Sequence, residues 1–301
     1  MSDDTTTAEE TADEAPGVGA ASDAFAVLGD ETRVAILEAL VDARRADPEQ
    51  RALTFSELRD RTGVADSGRF NYHLGKLRGR FVEETDDGYV LTYAGREVVG
   101  AILGGTYDTD VELDPEPLGD TCTRCDAELV ARFDGGDLDV GCENDHTILR
   151  TTVPPGAATD RSMRELLALA TRTTYARIEL LVGGICHECA GWVEREIVAA
   201  PDDADIDYTF RTSCERCGAF TRSSAGVVVL RDQRFVAFCD DHGIDVANRL
   251  PWTLPFLTDG ETVRTGEDPP RYRVRVEVDD ERLDLTLDGQ GAVVASERTT
   301  T

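Results

Sequence analysis

The sequence has almost no lysine: of its 31 basic residues only Lys76 is lysine, and all the others are arginine. Acidic residues number 60, which gives a formal net charge of -29. Such an excess normally argues against nucleic-acid binding, because phosphates repel carboxylates. Long apolar runs are also missing, since no stretch approaches the roughly 20 apolar residues that a membrane-spanning helix needs. The first 19 residues lack the basic start and apolar centre of a signal peptide. We therefore expect a cytoplasmic protein whose residues 1–21 form a disordered acidic tail.

Strong acidity with almost no lysine is typical of proteins from extreme halophiles, in which an acidic shell keeps the protein soluble in concentrated salt. On this interpretation the net charge says little about binding partners. The alternative is an acidic surface built to bind one particular partner. The sequence also contains eight cysteines. In a reducing compartment, cysteines favour metal binding over disulfides.

The pattern of apolar residues and turn signals predicts an α+β protein with several parts. Residues 22–104 read as short helices, a hairpin and a closing helix. Residues 105–119 are acidic, contain two prolines and lack an apolar period, so we expect a linker. The rest of the chain, 120–301, is predicted to hold two cysteine-pair modules, at 120–153 and 185–220, joined by a helix over 160–182. A C-terminal antiparallel segment of three strands is predicted over 270–297.

The first of these parts carries clear helix signals. Asp30 is a good N-cap for a helix over residues 31–45, and Thr54 with Glu57 forms a capping box for a second helix. Gly63 ends that helix in a tight turn, and a third helix, capped by Asp66 or Ser67, follows to about Leu77. This order predicts a helix-turn-helix. The Asp-Gly turn at residues 87–88, between two strand-like runs, predicts a hairpin that serves as a wing over residues 80–92.

The third helix is the predicted DNA-binding element. Residues 67–82 (SGRFNYHLGKLRGRFV) contain four basic residues and no acid, although the whole chain has about two acids per base. A recognition helix needs cations for phosphates and Arg or Asn near its start for base edges. We expect Arg69 and Asn71 to contact bases. Phe70, Leu74 and Leu77 are expected to face the core. The lone His73 is expected to be an interfacial histidine rather than a ligand. The full set of predicted DNA-binding residues is Ser67, Arg69, Asn71, Tyr72, Lys76, Arg78 and Arg80.

Three segments of this region are similar to one family. They are FAVLGDETRVAILEAL, LTFSELRDRTGVADSGRFNYHLGKL and DGYVLTYAGREV. They resemble the ArsR-like winged helix-turn-helix transcriptional regulators of halophilic archaea, over about 80 residues. The resemblance implies a homodimer that binds double-stranded DNA at promoters. Metal-sensing members carry cysteines in the helix before the turn, and FSELRDRTGV has none, so sensing at that position is not expected.

The cysteine modules predict two structural zinc ions. Zinc prefers four N or S ligands in a tetrahedron, and a pair of CxxC-like turns supplies two each. A further pair, Cys239 and His242, is expected to be a buried cysteine beside an exposed histidine. The C-terminal region also looks like zinc-ribbon-like segments found downstream of such winged helices, through its VPPG, GGICHEC, CERCGA and FCDDHGID stretches. The predicted ligands are Cys122, Cys125, Cys142 and His146 in the first module, and Cys186, Cys189, Cys214 and Cys217 in the second.

Two functions are compatible with these features. The first is a sequence-specific DNA-binding regulator whose zinc-containing region dimerises, senses a ligand or contacts a partner. The second is a zinc-ribbon protein-interaction or RNA-associated adaptor that uses the winged helix for docking. Base readout requires Arg69 and Asn71 to be exposed together, whereas docking would expose Phe70 or Leu74. An enzyme is not expected, because no nucleophile elbow, P-loop, HExxH or deaminase motif is present.

Overall fold

The computed structural model describes residues 18–49, 52–107, 110–202, 204, 206–258 and 262–300. The chain divides into two units, an N-terminal unit up to Tyr107 and a C-terminal unit from Asp108 onward. The N-terminal unit is mostly helical and the C-terminal unit is rich in antiparallel strands, so the predicted α+β class holds. Within the described residues, no helix combines the length and apolarity needed to cross a bilayer.

In the N-terminal unit, helices surround one apolar core. The unit ends with a two-stranded antiparallel hairpin and a closing helix. The core contains fully buried side chains such as Ile36, Leu58 and Phe70. The elements are α1 (Val18–Leu28), α2 (Glu31–Ala46), α3 (Phe55–Thr62), α4 (Ser67–Leu77), β1 (Val82–Thr85), β2 (Gly88–Leu91) and α5 (Tyr93–Leu103).

Side-chain caps fix where these helices begin. Asp30 accepts hydrogen bonds from the backbone N–H groups of residues 32 and 33 at the start of α2. The predicted capping box of Thr54 and Glu57 is present at α3, and Gly63 ends α3 in the left-handed conformation with φ of 68°. Asp66 caps α4 by accepting a hydrogen bond from the backbone N–H of Arg69. These predicted helix boundaries are therefore confirmed to within a residue or two.

Within its described residues, the C-terminal unit is built on three antiparallel sheets, with strand orders β3-β4-β5-β6, β7-β8-β9 and β10-β11-β12-β13. The strands are β3 (Glu112–Thr121), β4 (Glu128–Asp134), β5 (Asp137–Gly141), β6 (Thr147–Thr152), β7 (Val193–Ala199), β8 (Tyr208–Cys214), β9 (Phe220–Ser224), β10 (Thr262–Glu267), β11 (Pro270–Val278), β12 (Glu281–Asp288) and β13 (Val293–Thr300). The helices are α6 (Met163–Val182), α7 (Gln233–Asp241) and α8 (Pro255–Thr258), with short 3-10 turns at Pro155–Ala158, Ala225–Val229, Val246–Asn248 and Pro251–Thr253.

Helix α6 joins two apolar cores. Its first half, including Leu166 and Ala170, packs with the sheet of the first cysteine module. Its second half, including Tyr175 and Ile178, packs with the second module, α7 and the C-terminal sheet. The two cysteine modules are thus parts of larger cores rather than separate small domains.

Some sequence predictions need correction. Helix α1 begins at Val18, inside the predicted tail over residues 1–21, and residues 1–17 lie outside the described part of the chain. Strand β3 occupies the second half of the predicted linker 105–119, of which residues 108 and 109 are not described. Prolines are tolerated there because β3 is an edge strand with two register shifts. The predicted C-terminal strands are confirmed, and the structure adds β10 beside them.

Candidate nucleic-acid interface and metal centres

Helix α4 buries its apolar residues together with His73 and exposes its other polar residues. Phe70, His73, Leu74 and Leu77 are buried, with Phe70 at 0% and Leu74 at 1% relative exposure. The side chains predicted to contact DNA are all exposed: Ser67, Arg69, Asn71, Tyr72, Lys76, Arg78 and Arg80. Every residue of the predicted set is therefore accessible to solvent, on α4 or on the turn that follows it.

The cations of this surface differ in their partners. Among the described residues, Arg69 and Lys76 form no ion pair with a carboxylate, and the Lys76 Nζ lies 5.5 Å from the ring centroid of Tyr72. Arg78 instead forms an ion pair with Glu84 on β1. Its charge is already partly compensated within the protein. Arg69 and Lys76 therefore keep charges that no carboxylate of the described residues compensates.

His73 anchors α4 to the start of α2. Its Nδ1 lies 3.2 Å from Oδ1 of Asp30, the carboxylate that caps α2. Burial opposes ionisation of Asp30, but the N–H of Arg33 and the nearby His73 ring hold its pKa below the usual value. The expected interfacial role of His73 thus has a specific partner that sequence reasoning did not identify.

The tip of the hairpin is acidic. Thr85 and Gly88 are cross-strand partners, and Asp86 and Asp87 form the exposed turn between them. A side chain at Gly88 would collide with the backbone carbonyl of Leu53, so a glycine is required at this position. Phosphates repel two adjacent carboxylates, so this tip is poorly suited to touch a DNA backbone.

The first cysteine module brings its four predicted ligands together. The Cys122–Cys125 turn joins β3 to β4, and the turn carrying Cys142 and His146 joins β5 to β6. Cys122 Sγ lies 3.5 Å from His146 Nδ1, and Cys125 Sγ lies 3.6 Å from Cys142 Sγ. Zinc bonds of about 2.3 Å to sulfur and 2.0–2.1 Å to nitrogen place tetrahedral ligands roughly 3.6–3.8 Å apart. The donor set can therefore hold one metal ion.

Asn144 adds a hydrogen bond that the sequence analysis did not anticipate. Its amide Nδ2 donates to Cys125 Sγ at 3.3 Å, and this donor lowers the pKa of that thiol to about 6. A thiolate is the form that binds metal, so the amide favours the ligand state. The signal in the sequence was the polar Glu-Asn-Asp turn between the second pair of ligands.

The second cysteine module also converges on one point. Cys186 Sγ lies 3.6 Å from Cys217 Sγ, and Cys189 Sγ lies 3.6 Å from Cys214 Sγ. The ligand atoms in each of the two clusters all lie within 4.8 Å of one another. The backbone N–H of Cys217 lowers the pKa of Cys214 to about 7. A four-thiol site of this size can hold one metal ion of the kind that prefers soft ligands.

The CxxC turns share one backbone shape. The residue after the second cysteine adopts a positive φ in each: 58° at Asp126, 53° at Ala190 and 74° at Gly218. Each of these residues donates its N–H to the carbonyl of the first cysteine, at 2.9 Å. This turn aims both thiols of a pair at the same point. It recurs although the sequences of the two modules are barely similar.

Comparison with protein families agrees with the two-unit division. Residues 119–293, more than half of the chain, match a domain of unknown function, DUF7351. The chain belongs to the DUF7351 family. That family segment contains both cysteine clusters and α6, while residues 21–102 match a second domain of unknown function, DUF7347. No curated protein and no solved structure matches the chain.

Within the DUF7351 segment, Cys239 and His242 do not form a further metal cluster among the described residues. Cys239 is buried as expected, and burial raises its pKa to about 11. The expected exposure of His242 is wrong, since its side chain is only 11% exposed. Its Nδ1 lies 2.8 Å from the Phe238 carbonyl, and its Nε2 lies 3.4 Å from a carboxylate oxygen of Glu281. This histidine therefore connects α7 to β12.

Proposed function

We propose that this protein is a sequence-specific DNA-binding transcription regulator of the ArsR-like winged helix-turn-helix type. The observation that carries the proposal is the exposed surface of α4. Arg69 and Asn71 are exposed together on a helix whose window, residues 67–82, contains no acid in a chain of net charge -29. Arg pairs well with guanine and Asn with adenine in the major groove. In this proposal α4 enters the major groove and residues 80–92 form the wing.

The burial pattern of α4 favours this function over a docking role. Docking through α4 would need an apolar side chain such as Phe70 or Leu74 on the outer surface. Both are buried in the core of the N-terminal unit. What α4 offers to a partner is instead Asn71, Tyr72 and two cations, which suits base edges and phosphates.

The acidic hairpin tip limits how the wing contributes. Asp86 and Asp87 would repel phosphates, so we propose that the wing supports α4 through its base rather than gripping the backbone with its tip. Phosphate contacts then come from Ser67, Tyr72, Lys76 and Arg80. Base readout depends on Arg69 and Asn71.

We further propose that both cysteine clusters bind structural zinc. Four sulfur or nitrogen donors at tetrahedral spacing support zinc over metals that prefer oxygen. In each module the cysteine turns hold the ends of the strands together, and the amide of Asn144 orients the Cys125 thiolate. Bound zinc would contribute folding energy to the C-terminal unit. This unit would provide dimerisation, sensing or partner contact.

A halophilic setting would shape recognition. At 1 M salt the Debye length is about 3 Å, so long-range attraction to phosphates is almost absent. Specificity must then come from short contacts, shape and the geometry of a homodimer. The small number of cations on α4, among so many acids elsewhere, fits this regime.

The proposal is tested by chromatin immunoprecipitation with sequencing in the native host. The wild type is compared with an Arg69→Ala, Lys76→Ala double variant, and with Arg45→Ala as the control, since Arg45 is exposed on α2 and pairs with Asp42. We expect discrete wild-type peaks upstream of genes, retained by the control and lost by the double variant. In vitro, Arg69→Ala alone should weaken cognate binding by roughly 1–3 kcal/mol. Peaks that are absent, or indifferent to the double variant, would contradict DNA recognition by α4.

A further inference from the structure

A recess lies in the N-terminal unit where α2, β2 and α5 meet. Its volume is about 400 Å³, which falls within the roughly 300–1,000 Å³ of small-ligand sites. The described residues that line it are Leu40 and Arg44 of α2, Val90 and Leu91 of β2, and Arg96 of α5. We call it the arginine recess.

The floor of the arginine recess is apolar. Leu40 is 5% exposed and belongs to the core of the N-terminal unit, and Val90 and Leu91 are half-buried. The two arginines are exposed, so they lie at the rim above these side chains. An apolar group bound in the recess would remove surface of all three floor residues from water, which favours binding.

The rim carries two positive charges. Among the described residues, neither Arg44 nor Arg96 forms an ion pair with a carboxylate, and no acidic side chain lines the recess. Arg96 donates one guanidinium N–H to the carbonyl of Leu91 at 3.0 Å. This bond holds the side chain beside the recess and leaves its other N–H groups for a ligand.

The acidic side chains nearest in sequence or register do not compensate these charges. Glu97 follows the α5 arginine, Asp47 comes directly after α2, and Glu83 is the cross-strand partner of Val90. In the described part of the chain, none of these three carboxylates pairs with either arginine or lines the recess. The charge that a ligand meets there is therefore positive.

The arginine recess lies away from the surface of α4. Asp30, at the start of α2, contacts His73 of α4 at 3.2 Å. Arg44 lies in the last turn of α2, about 20 Å further along the helix axis at about 1.5 Å per residue. A DNA phosphate also lacks an apolar body that could cover the floor. Both observations favour a small ligand over a nucleic acid.

From these observations we infer that the arginine recess binds a small organic carboxylate with an apolar body. The carboxylate accepts hydrogen bonds from Arg44 and Arg96, because the fork of a guanidinium group matches two carboxylate oxygens. The body packs on Leu40, Val90 and Leu91. A phosphate monoester carries nearly two charges and is harder to remove from water beside an apolar floor. The inference does not depend on DNA binding by α4.

The test titrates cyclohexanecarboxylate into the full-length protein by calorimetry. The buffer contains 1 M salt, where a Debye length of about 3 Å screens long-range attraction. The neutral cyclohexanecarboxamide tests the need for charge, and acetate and inorganic phosphate test the need for the apolar body. The variants are Arg44→Gln, Arg96→Gln and Val90→Ala. Arg45→Gln is the matched control, because Arg45 is also exposed at the end of α2 but pairs with Asp42 and does not line the recess.

We expect saturable binding of cyclohexanecarboxylate in the millimolar range, since the probe is small. Arg44→Gln and Arg96→Gln should each weaken it about five- to tenfold, between the effects of an exposed ion pair and of a charged hydrogen bond. Val90→Ala should weaken it severalfold, because apolar contact is lost. Arg45→Gln should leave it unchanged, and the arginine variants should unfold at temperatures close to that of the wild type.

Absence of saturable binding would overturn the inference. Equal binding of the neutral amide, of acetate or of inorganic phosphate would do the same, as would equal affinities of the wild type and both arginine variants. Binding of a DNA duplex that falls in both arginine variants, without any binding of the carboxylate, would make these arginines phosphate contacts instead.

Discussion

Substituting alanine for Gly75 should raise the stability of the N-terminal unit and weaken its binding to DNA. Gly75 is exposed in the middle of α4, and a side-chain Cβ added there meets no atom within 4 Å. Glycine inside a helix costs about 1 kcal/mol relative to alanine, so Gly75→Ala should stabilise the N-terminal unit by about 0.5–1 kcal/mol. If α4 lies in the major groove, the same methyl group projects about 1.5 Å toward the bases. Losing one close base contact should then weaken cognate binding about tenfold.

Gly100→Ala provides the matched control. Gly100 is also exposed, lies inside α5, and has nothing within 4 Å of its added Cβ. Denaturant unfolding should show a similar gain for both variants, and fluorescence anisotropy with a cognate duplex should show a loss only for Gly75→Ala. A loss of stability at Gly75 would mean that this side of α4 is packed. Equal DNA affinities for both variants would place the bases out of reach of Gly75.

Three other perturbations give expected outcomes. Chelation should unfold the C-terminal unit and leave the N-terminal unit folded, since structural zinc contributes roughly 10–16 kcal/mol per site and domains are stable by only about 5–15 kcal/mol. Hydrogen exchange resolved by region checks this, and a single joint transition would contradict it. Ala190→Gly should stabilise the C-terminal unit by about 0.5–1 kcal/mol, because alanine at φ of 53° is strained; unchanged thermal unfolding would refute this. Cys239, with its pKa raised to about 11 by burial, should resist alkylation near neutral pH and react faster only as pH approaches that value. Rapid labelling of Cys239 in the folded, metal-loaded protein, read by mass spectrometry, would show that the site opens.

The elements that sequence predicted well are those specified by local chemistry. Asp30, Thr54 and Asp66 cap helices because their side chains reach backbone N–H groups two or three residues away. The Asp-Gly turn and the alternating C-terminal runs likewise depend on neighbours in the chain. The two clusters that could hold a metal ion were predictable for a similar reason, since three of their four ligand pairs are CxxC turns, each with its own geometric signal.

The elements that sequence missed depend on distant partners. Strand β3 was hidden because its prolines are acceptable only once it is known to lie at a sheet edge. The link between His73 and Asp30 joins two helices, and the Trp252–Asp120 hydrogen bond joins residues 132 positions apart. Neither contact leaves a periodic pattern. Exposure of Trp192 was also beyond local reasoning, because the residues around it resemble an ordinary strand.

Helix α6 has a consequence for how the two metal clusters respond to a changing metal supply. At about 1.5 Å per residue its 20 residues span roughly 30 Å. Its first half packs in the core that contains Cys122 and Cys142, and its second half packs in the core that includes strands of the second cysteine module. Loosening either core removes support from the helix that the other core also packs against. The two sites should therefore be thermodynamically linked, so that binding at one raises affinity at the other by a reciprocal factor. Molecules with both sites filled or both sites empty would then outnumber molecules with one site filled. The folded fraction of the C-terminal unit would fall sharply at a threshold metal concentration rather than in proportion to the metal supply.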